Sequence, residues 1–191
     1  MNFSVFSSPN IQANVLPENF TADMVPESIK ETCLNWFYKI ASIRELLPRL
    51  YLEITILKSF SFLSQSEFNQ TLLRLTKVIR GIGDPLVAVY ARCYLCRVGL
   101  TVTQDREFIK ENLTDFFFVY HTMFNGGLKS ELTRQRIDMS GYLSLYNPAL
   151  DYILELLGSR SPDALLDDVL AKCQEKKNKF VFWEVSQWMF P

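Results

Sequence analysis

Histidine is almost missing from the 191 residues, with His121 the single copy. No triad built on paired imidazoles is available, and a lone helical histidine is more often structural or solvent-facing than catalytic. Glycine is scarce at 7 against 15 phenylalanines, which disfavours a turn-rich β architecture and suits long helices. An excess of charge is lacking too: 20 basic and 21 acidic residues are interspersed, net −1, and leave no electrostatic footprint for nucleic acid. No apolar run reaches the roughly 18 residues that span a bilayer. The opening "MNFSVFSSPN" has no basic region followed by an apolar stretch, so no secretory signal is expected. The expectation is a cytosolic chain whose Cys33, Cys93, Cys96 and Cys173 stay thiols. In that setting the sequons at Asn19, Asn69 and Asn112 carry no weight.

What is present is helical periodicity in a chain long enough for one large domain or a run of repeats. Residues 1–25 are polar, without periodicity, and read as an extended or disordered lead-in. From Pro26, the residues Ile29, Cys33, Trp36, Ile40, Ile43 and Leu47 recur at helical spacing, with Leu34, Phe37 and Ala41 beside them. That predicts one helix to Leu47 with neighbours on two sides. A second helix is predicted from Pro48 to about Leu63, with Leu50, Ile54 and Leu57 on one line and Leu52, Ile56, Phe60 and Leu63 on another. Ser64 and Glu67 read as a capping box before Phe68, Leu72, Leu75 and Ile79, with Gly81 as the stop. Asp84 and Pro85 open a helix to about Gly99, and another runs from about Asp105 to Phe124 until "NGG" at 125–127 breaks it. A weak helical stretch near 128–136 follows, then helices from Asn147-Pro148 to Gly158 and from Ser161-Pro162 to about Lys177.

Five of the eight prolines (Pro26, Pro48, Pro85, Pro148, Pro162) fall where a helix is predicted to begin, a position where the missing N–H costs nothing. Two-faced helices in successive pairs match a helical-repeat pattern better than a closed four-helix bundle. The fold class is therefore all-α, an α-solenoid of stacked antiparallel helix pairs, HEAT-like, over 26–177. Residues 178–191 form an irregular, aromatic-rich tail.

The candidate chemistry is thin. Cys93 and Cys96 form a C-x-x-C, but no strand precedes it and no second ligand pair completes a zinc set, so packed thiols are the main reading over redox chemistry. "RGIGDP" at 80–85 lacks the third glycine, the lysine and the strand of a phosphate cradle, and reads as a tight turn between helices. "TDFFFVYHTMF" at 114–124 reads as core, with an aromatic anchor for a partner as the lesser alternative. Asp167 and Asp168 beside Lys172 read as a solvated face. No set of residues fills the roles of nucleophile, base and oxyanion donor. The residues point away from an enzyme, with no catalytic residue, metal or cofactor.

"ETCLNWFYKIASIRELLPRLYLE" at 31–53 and "RGIGDPLVAVYARCYLCRVG" at 80–99 resemble the large α-solenoid subunit of retriever, the endosomal recycling complex. That family is paralogous to the retromer large subunit, which shares the "PRLYL" element; the block at 31–46 favours retriever. The likeness covers about residues 16–175 and departs after about Lys177. It implies an N-terminal piece of a much longer, non-catalytic scaffold, cytoplasmic and recruited to endosomes, with membrane association only through the complex. It further implies an arrestin-fold small subunit as partner within a larger sorting assembly, and neither nucleic acid nor a small-molecule substrate. Matched to the motif, the partner-binding residues are Pro48, Arg49, Leu50, Tyr51 and Leu52. Leu50 and Leu52 also lie on predicted buried lines. Arg49, set against the positive end of a helix dipole, is expected to pair with a carboxylate at or beside the interface. The alternatives are a retromer-type large subunit and a generic helical-repeat adaptor that binds peptides.

Overall fold

The computed structural model describes residues 17, 20–64, 68–122, 128–159 and 161–177. Among them the regular structure is all helical: α1 Glu27–Ala41, α2 Leu46–Thr55, α3 Phe68–Ile79, α4 Pro85–Gly99, α5 Glu107–Thr122, α6 Leu128–Gln135, α7 Met139–Gly158 and α8 Asp163–Lys177. Two 3-10 segments, Ala22–Met24 and Leu57–Phe62, flank α1 and α2. The tail at 178–191, the "NGG" break and Gln65–Glu67 of the capping box lie outside the described residues. No described helix is long and apolar enough to cross a membrane.

Two helix starts differ from the periodicity, and α2 also ends early, at Thr55. The helix expected to run unbroken to Leu47 stops at Ala41, and the next begins at Leu46. Proline explains the shift. A helix running through 44–48 would ask Pro48 for an N–H to the Arg44 carbonyl, which proline lacks and its ring obstructs. Starting at Leu46 places Pro48 in the first turn, where no such bond is needed. Ser42 closes α1, its N–H reaching the Tyr38 and Lys39 carbonyls and its hydroxyl donating to the Lys39 carbonyl at 2.6 Å.

The second difference lies in α7. Expected to start at Asn147-Pro148, it begins at Met139, capped by Asp138, whose Oδ1 accepts from the Gly141 N–H at 3.0 Å. Pro148 thus sits inside a helix rather than at its start. Pro148 and Ser144, whose carbonyl a helical N–H at 148 would otherwise meet, are both exposed residues.

The core follows the predicted stripe of α3 and the first predicted line of α2. Phe68, Leu72, Leu75 and Ile79 of α3 are buried, as are Leu50, Ile54 and Leu57 around α2, and Ile109, Leu113 and Phe116 of α5. Each fully buried Leu or Ile contributes about 1.5–3 kcal/mol. Helix α4 lies in the middle, packed against α2, α3, α5 and α7. Gly99 permits this closeness: a Cβ there would sit 2.7 Å from the Phe108 ring of α5 and 2.9 Å from Leu72 of α3. The main packing contacts join helices no more than three apart in order, from α1 on α2 through to α8 on α5. Such sequence-local packing is what stacked helical arrays have in common.

Helix α1 departs from its expected two-sided burial. It packs mainly on α2 and the 3-10 segment after it, and only Cys33 is buried. Phe37 meets Phe60 at 4.2 Å between ring centroids, whereas Ile29, Leu34, Trp36 and Tyr38 stay exposed. Before α1, Val25 is buried and Phe20 packs its ring on Phe62 at 5.4 Å.

Candidate functional site

The five residues singled out at 48–52 lie on α2 but do not share one environment. At 100° per residue, Pro48, Arg49 and Leu52 fall on the solvent side, and Leu50 with Ile54 on the side facing α3 and α4. Leu50 is 1% exposed and belongs to the core; Leu52 is 42% exposed. The expected second buried line through Leu52 does not form. Helix α2 ends at Thr55, and the tighter 3-10 winding beyond it carries Phe60 and Leu63 away from that line. Tyr51 is half-buried, its ring stacked on Tyr94 of α4 at 5.2 Å, while Thr55 and Tyr94 share a hydroxyl–hydroxyl bond of 2.9 Å. Burial and the neighbouring Cys93 and Tyr94 raise the Tyr51 pKa.

Arg49 has its carboxylate inside the chain. Its Nε donates to Glu53 Oε1 at 2.7 Å, one turn along the same helix. Glu53 also accepts from Arg74 Nη2 of α3 on its other oxygen at 2.6 Å. The Glu53 carboxylate is largely covered, at 13% exposure, and both arginines are more open, at 39% and 49%. Burial alone would raise the Glu53 pKa, but the two arginine hydrogen bonds and charges outweigh it and hold the carboxyl below its ordinary value. The dipole cost at Arg49 is also smaller than the sequence implies, since Arg49 is the fourth helical residue and not the first.

A second polar cluster went unread in the sequence. Arg92 of α4, 2% exposed, donates through Nη1 to Asn112 Oδ1 at 2.9 Å and to Asp115 Oδ2 at 3.1 Å. Arg80, just past α3, reaches both Asp115 oxygens through Nε at 3.0 and 2.9 Å, and Glu111 through Nη2 at 2.6 Å. Asn112 donates to Thr76 Oγ1 at 3.1 Å and to the Phe108 carbonyl at 2.8 Å. Burial pushes the Arg92 pKa down, with Asp115 opposing it. The arrangement ties α3, α4 and α5 together. A signal was there: Arg92 stands on the stripe of Ala88, Leu95 and Gly99, and Asn112 and Asp115 on that of Phe108. Polar residues on an apolar stripe, opposite in charge on neighbouring helices, mark a buried network.

The remaining motifs are structural in placement. Cys96 is fully buried and its thiol pKa is pushed up by desolvation; Cys93 is raised to about 11 by the same cause and donates to the Ala149 carbonyl at 3.3 Å. A thiol so raised is a poor nucleophile and ligand. At "RGIGDP" the first amides of α4 are already used: Leu86 N–H donates to the Tyr142 hydroxyl at 3.0 Å and Val87 N–H to Asp84 Oδ1 at 2.9 Å. An anion would find no free donors at these two amides. Asn112 of the third sequon is fully buried. Asp168 faces solvent as expected, but it also pairs with Lys110 of α5 at 3.1 Å. Helix α5 carries His121 on its backbone, and the imidazole is outside the described side chains. Among the described residues, no three His, Cys, Asp or Glu side chains gather as a metal set.

A family model described as VPS35L matches residues 4–145. The chain is 45% identical over 176 residues to "VPS35 endosomal protein-sorting factor-like" of Danio rerio, which is 92% of this chain and 18% of that protein. The Homo sapiens protein of that name is 43% identical over 175 residues, 91% of this chain and 18% of its own length. The "VPS35 endosomal protein sorting factor-like" of Drosophila melanogaster is 47% identical over 160 residues, covering 83% and 17%. The chain thus spans less than a fifth of the length of the curated relatives it matches.

Proposed function

This chain belongs to the VPS35L family, and on that premise we propose that it is the N-terminal segment of a non-catalytic scaffold for endosomal protein sorting. In this reading the scaffold is the large subunit of a retriever-type complex, cytoplasmic and brought to endosomes by its assembly. The segment binds an arrestin-fold small subunit through α2. The observation that carries the proposal is the exposed Pro48–Arg49–Leu52 face. Leu52 spends a large apolar side chain on solvent in the middle of a short helix, and nothing in the core asks for it there. Leu50 and Tyr51 seat the helix behind it.

Leu52→Asp tests the proposal, because Leu52 can be changed without opening the core. Co-purification with the arrestin-fold subunit should fall at least tenfold, about 1.4 kcal/mol, while the circular dichroism melt stays within a few degrees. Unchanged co-purification with an intact melt removes α2 as the interface. Leu50→Asp serves as the contrast, since a charge in the core unfolds the chain and abolishes binding for a different reason.

A further inference from the structure

Between α2 and α3, one carboxylate holds two arginines. Glu53 spends its two oxygens on Arg49 and Arg74, one from each helix. The bonds use Nε of Arg49 and Nη2 of Arg74, which leaves both terminal nitrogens of Arg49 and two nitrogens of Arg74 for other acceptors. Three formal charges sum to +1 on this patch, and the positive ones are the more exposed. The lone negative charge is mostly covered and is held ionised by the arginines. Long, flexible cations are normally disordered at a surface, and freezing two of them costs side-chain entropy on binding. Here the cost is met within the folded chain.

We propose that Glu53 is a positioning residue that sets Arg49 and Arg74 as a pre-aligned pair of guanidiniums, and that the pair receives a carboxylate of the partner that docks on α2. The inference rests on the reading of α2 as the partner-binding helix. It adds two residues outside the 48–52 motif and states the partner's chemistry: an acidic side chain placed beside an apolar contact to Leu52. Planar guanidiniums suit this role because each offers paired N–H donors to a carboxylate, which an ammonium does not.

The sign of one substitution separates positioning from plain charge. Glu53→Gln removes the only negative charge of the patch, so electrostatic attraction alone predicts tighter binding to an acidic partner. Positioning predicts weaker binding, because the amide no longer holds both arginines. Calorimetric titration of this chain with the arrestin-fold subunit should show Glu53→Gln weakening binding about fivefold and Arg49→Ala about tenfold. Arg74→Lys keeps the charge and the tie to Glu53, so a merely structural role leaves both affinity and melt unchanged; the proposal expects a fivefold loss at an unchanged melt. Glu53→Gln binding as tightly as the wild type or tighter, or Arg74→Lys binding like the wild type, overturns it. If Leu52→Asp weakens binding while these variants do not, the interface stands and the arginine clamp alone falls. If Leu52→Asp has no effect either, the interface itself is lost.

Discussion

Tyr142 shows how a single side chain can complete a helix end from 56 residues away in sequence. Helix α4 begins with Pro85, which has no N–H to satisfy; Leu86 N–H is taken by the Tyr142 hydroxyl and Val87 N–H by Asp84, and Ala88 N–H returns to the Asp84 carbonyl at 3.0 Å. The phenol is 4% exposed and desolvation pushes its pKa up to about 12, so near neutral pH it is a neutral hydroxyl. Tyr142→Phe keeps the ring and removes only the acceptor, leaving the Leu86 N–H unpaired at a half-buried site. The expected loss is about 1–2 kcal/mol, or roughly 2–8 °C in melting temperature for a chain of this size. A melt within a degree of the wild type means water replaces the hydroxyl. The contrast with Arg49 is instructive. Sequence alone leads to the expectation of a carboxylate at or beside a partner interface, and within the chain the carboxylate that Arg49 meets is Glu53, one turn along its own helix. Spacing of four residues made that pair visible in principle; the participation of Arg74, 21 residues further on, was not.

Among the helices, apolar periodicity was most informative where a helix is surrounded and least where it ends. The buried face of α3 follows the predicted stripe, and the cap at Asp84-Pro85 forms as predicted. The junction between α1 and α2 was misplaced because apolar spacing continues across it: Ile43 and Leu47 remain partly covered on either side of a break that only backbone hydrogen bonding decides. Exposure of Leu34, Trp36 and Tyr38 was illegible for a different reason, since periodicity marks which residues can be buried and not whether a neighbour exists. Proline misled at α7. It usually opens helices, but the Asp138 cap and the apolar face of Tyr142, Tyr146, Ala149 and Ile153 carry the helix through Pro148. A helix-interior proline costs about 3 kcal/mol, partly offset by about 0.4–1 kcal/mol from the stiffer unfolded chain. Pro148→Ala, which restores a bond to the Ser144 carbonyl, should therefore raise the melting temperature by several degrees. A fall instead would assign Pro148 a part in seating Ala149 and Ile153 against their neighbours.

At the scale of the molecule, the question is what makes a ladder of locally packed helices behave as one unit. Apolar contacts join neighbours, but the Arg80–Asp115–Arg92 network spans three helices at once, and Asn112 extends it to Thr76. Asp115 is its centre: it accepts from both arginines, and Arg92 is too deeply buried to find water if that acceptor is lost. Asp115→Asn keeps the volume and removes the charge. A buried guanidinium without its counter-ion costs about 3–5 kcal/mol, a large share of the 5–15 kcal/mol by which domains are usually stable. Calorimetry should show the melting temperature falling by roughly 6–20 °C, far beyond what an exposed substitution does. The double variant Asp115→Leu with Arg92→Met removes the charge pair together and should recover much of that loss, because apolar packing replaces ions that were costly to bury. Recovery would identify the network as a means of fixing how α3, α4 and α5 register on one another, rather than as the source of their stability. If Asp115→Asn melts within about 1 kcal/mol of the wild type, Glu111 and Asn112 hold the arginines without it and the coupling lies in the apolar core alone.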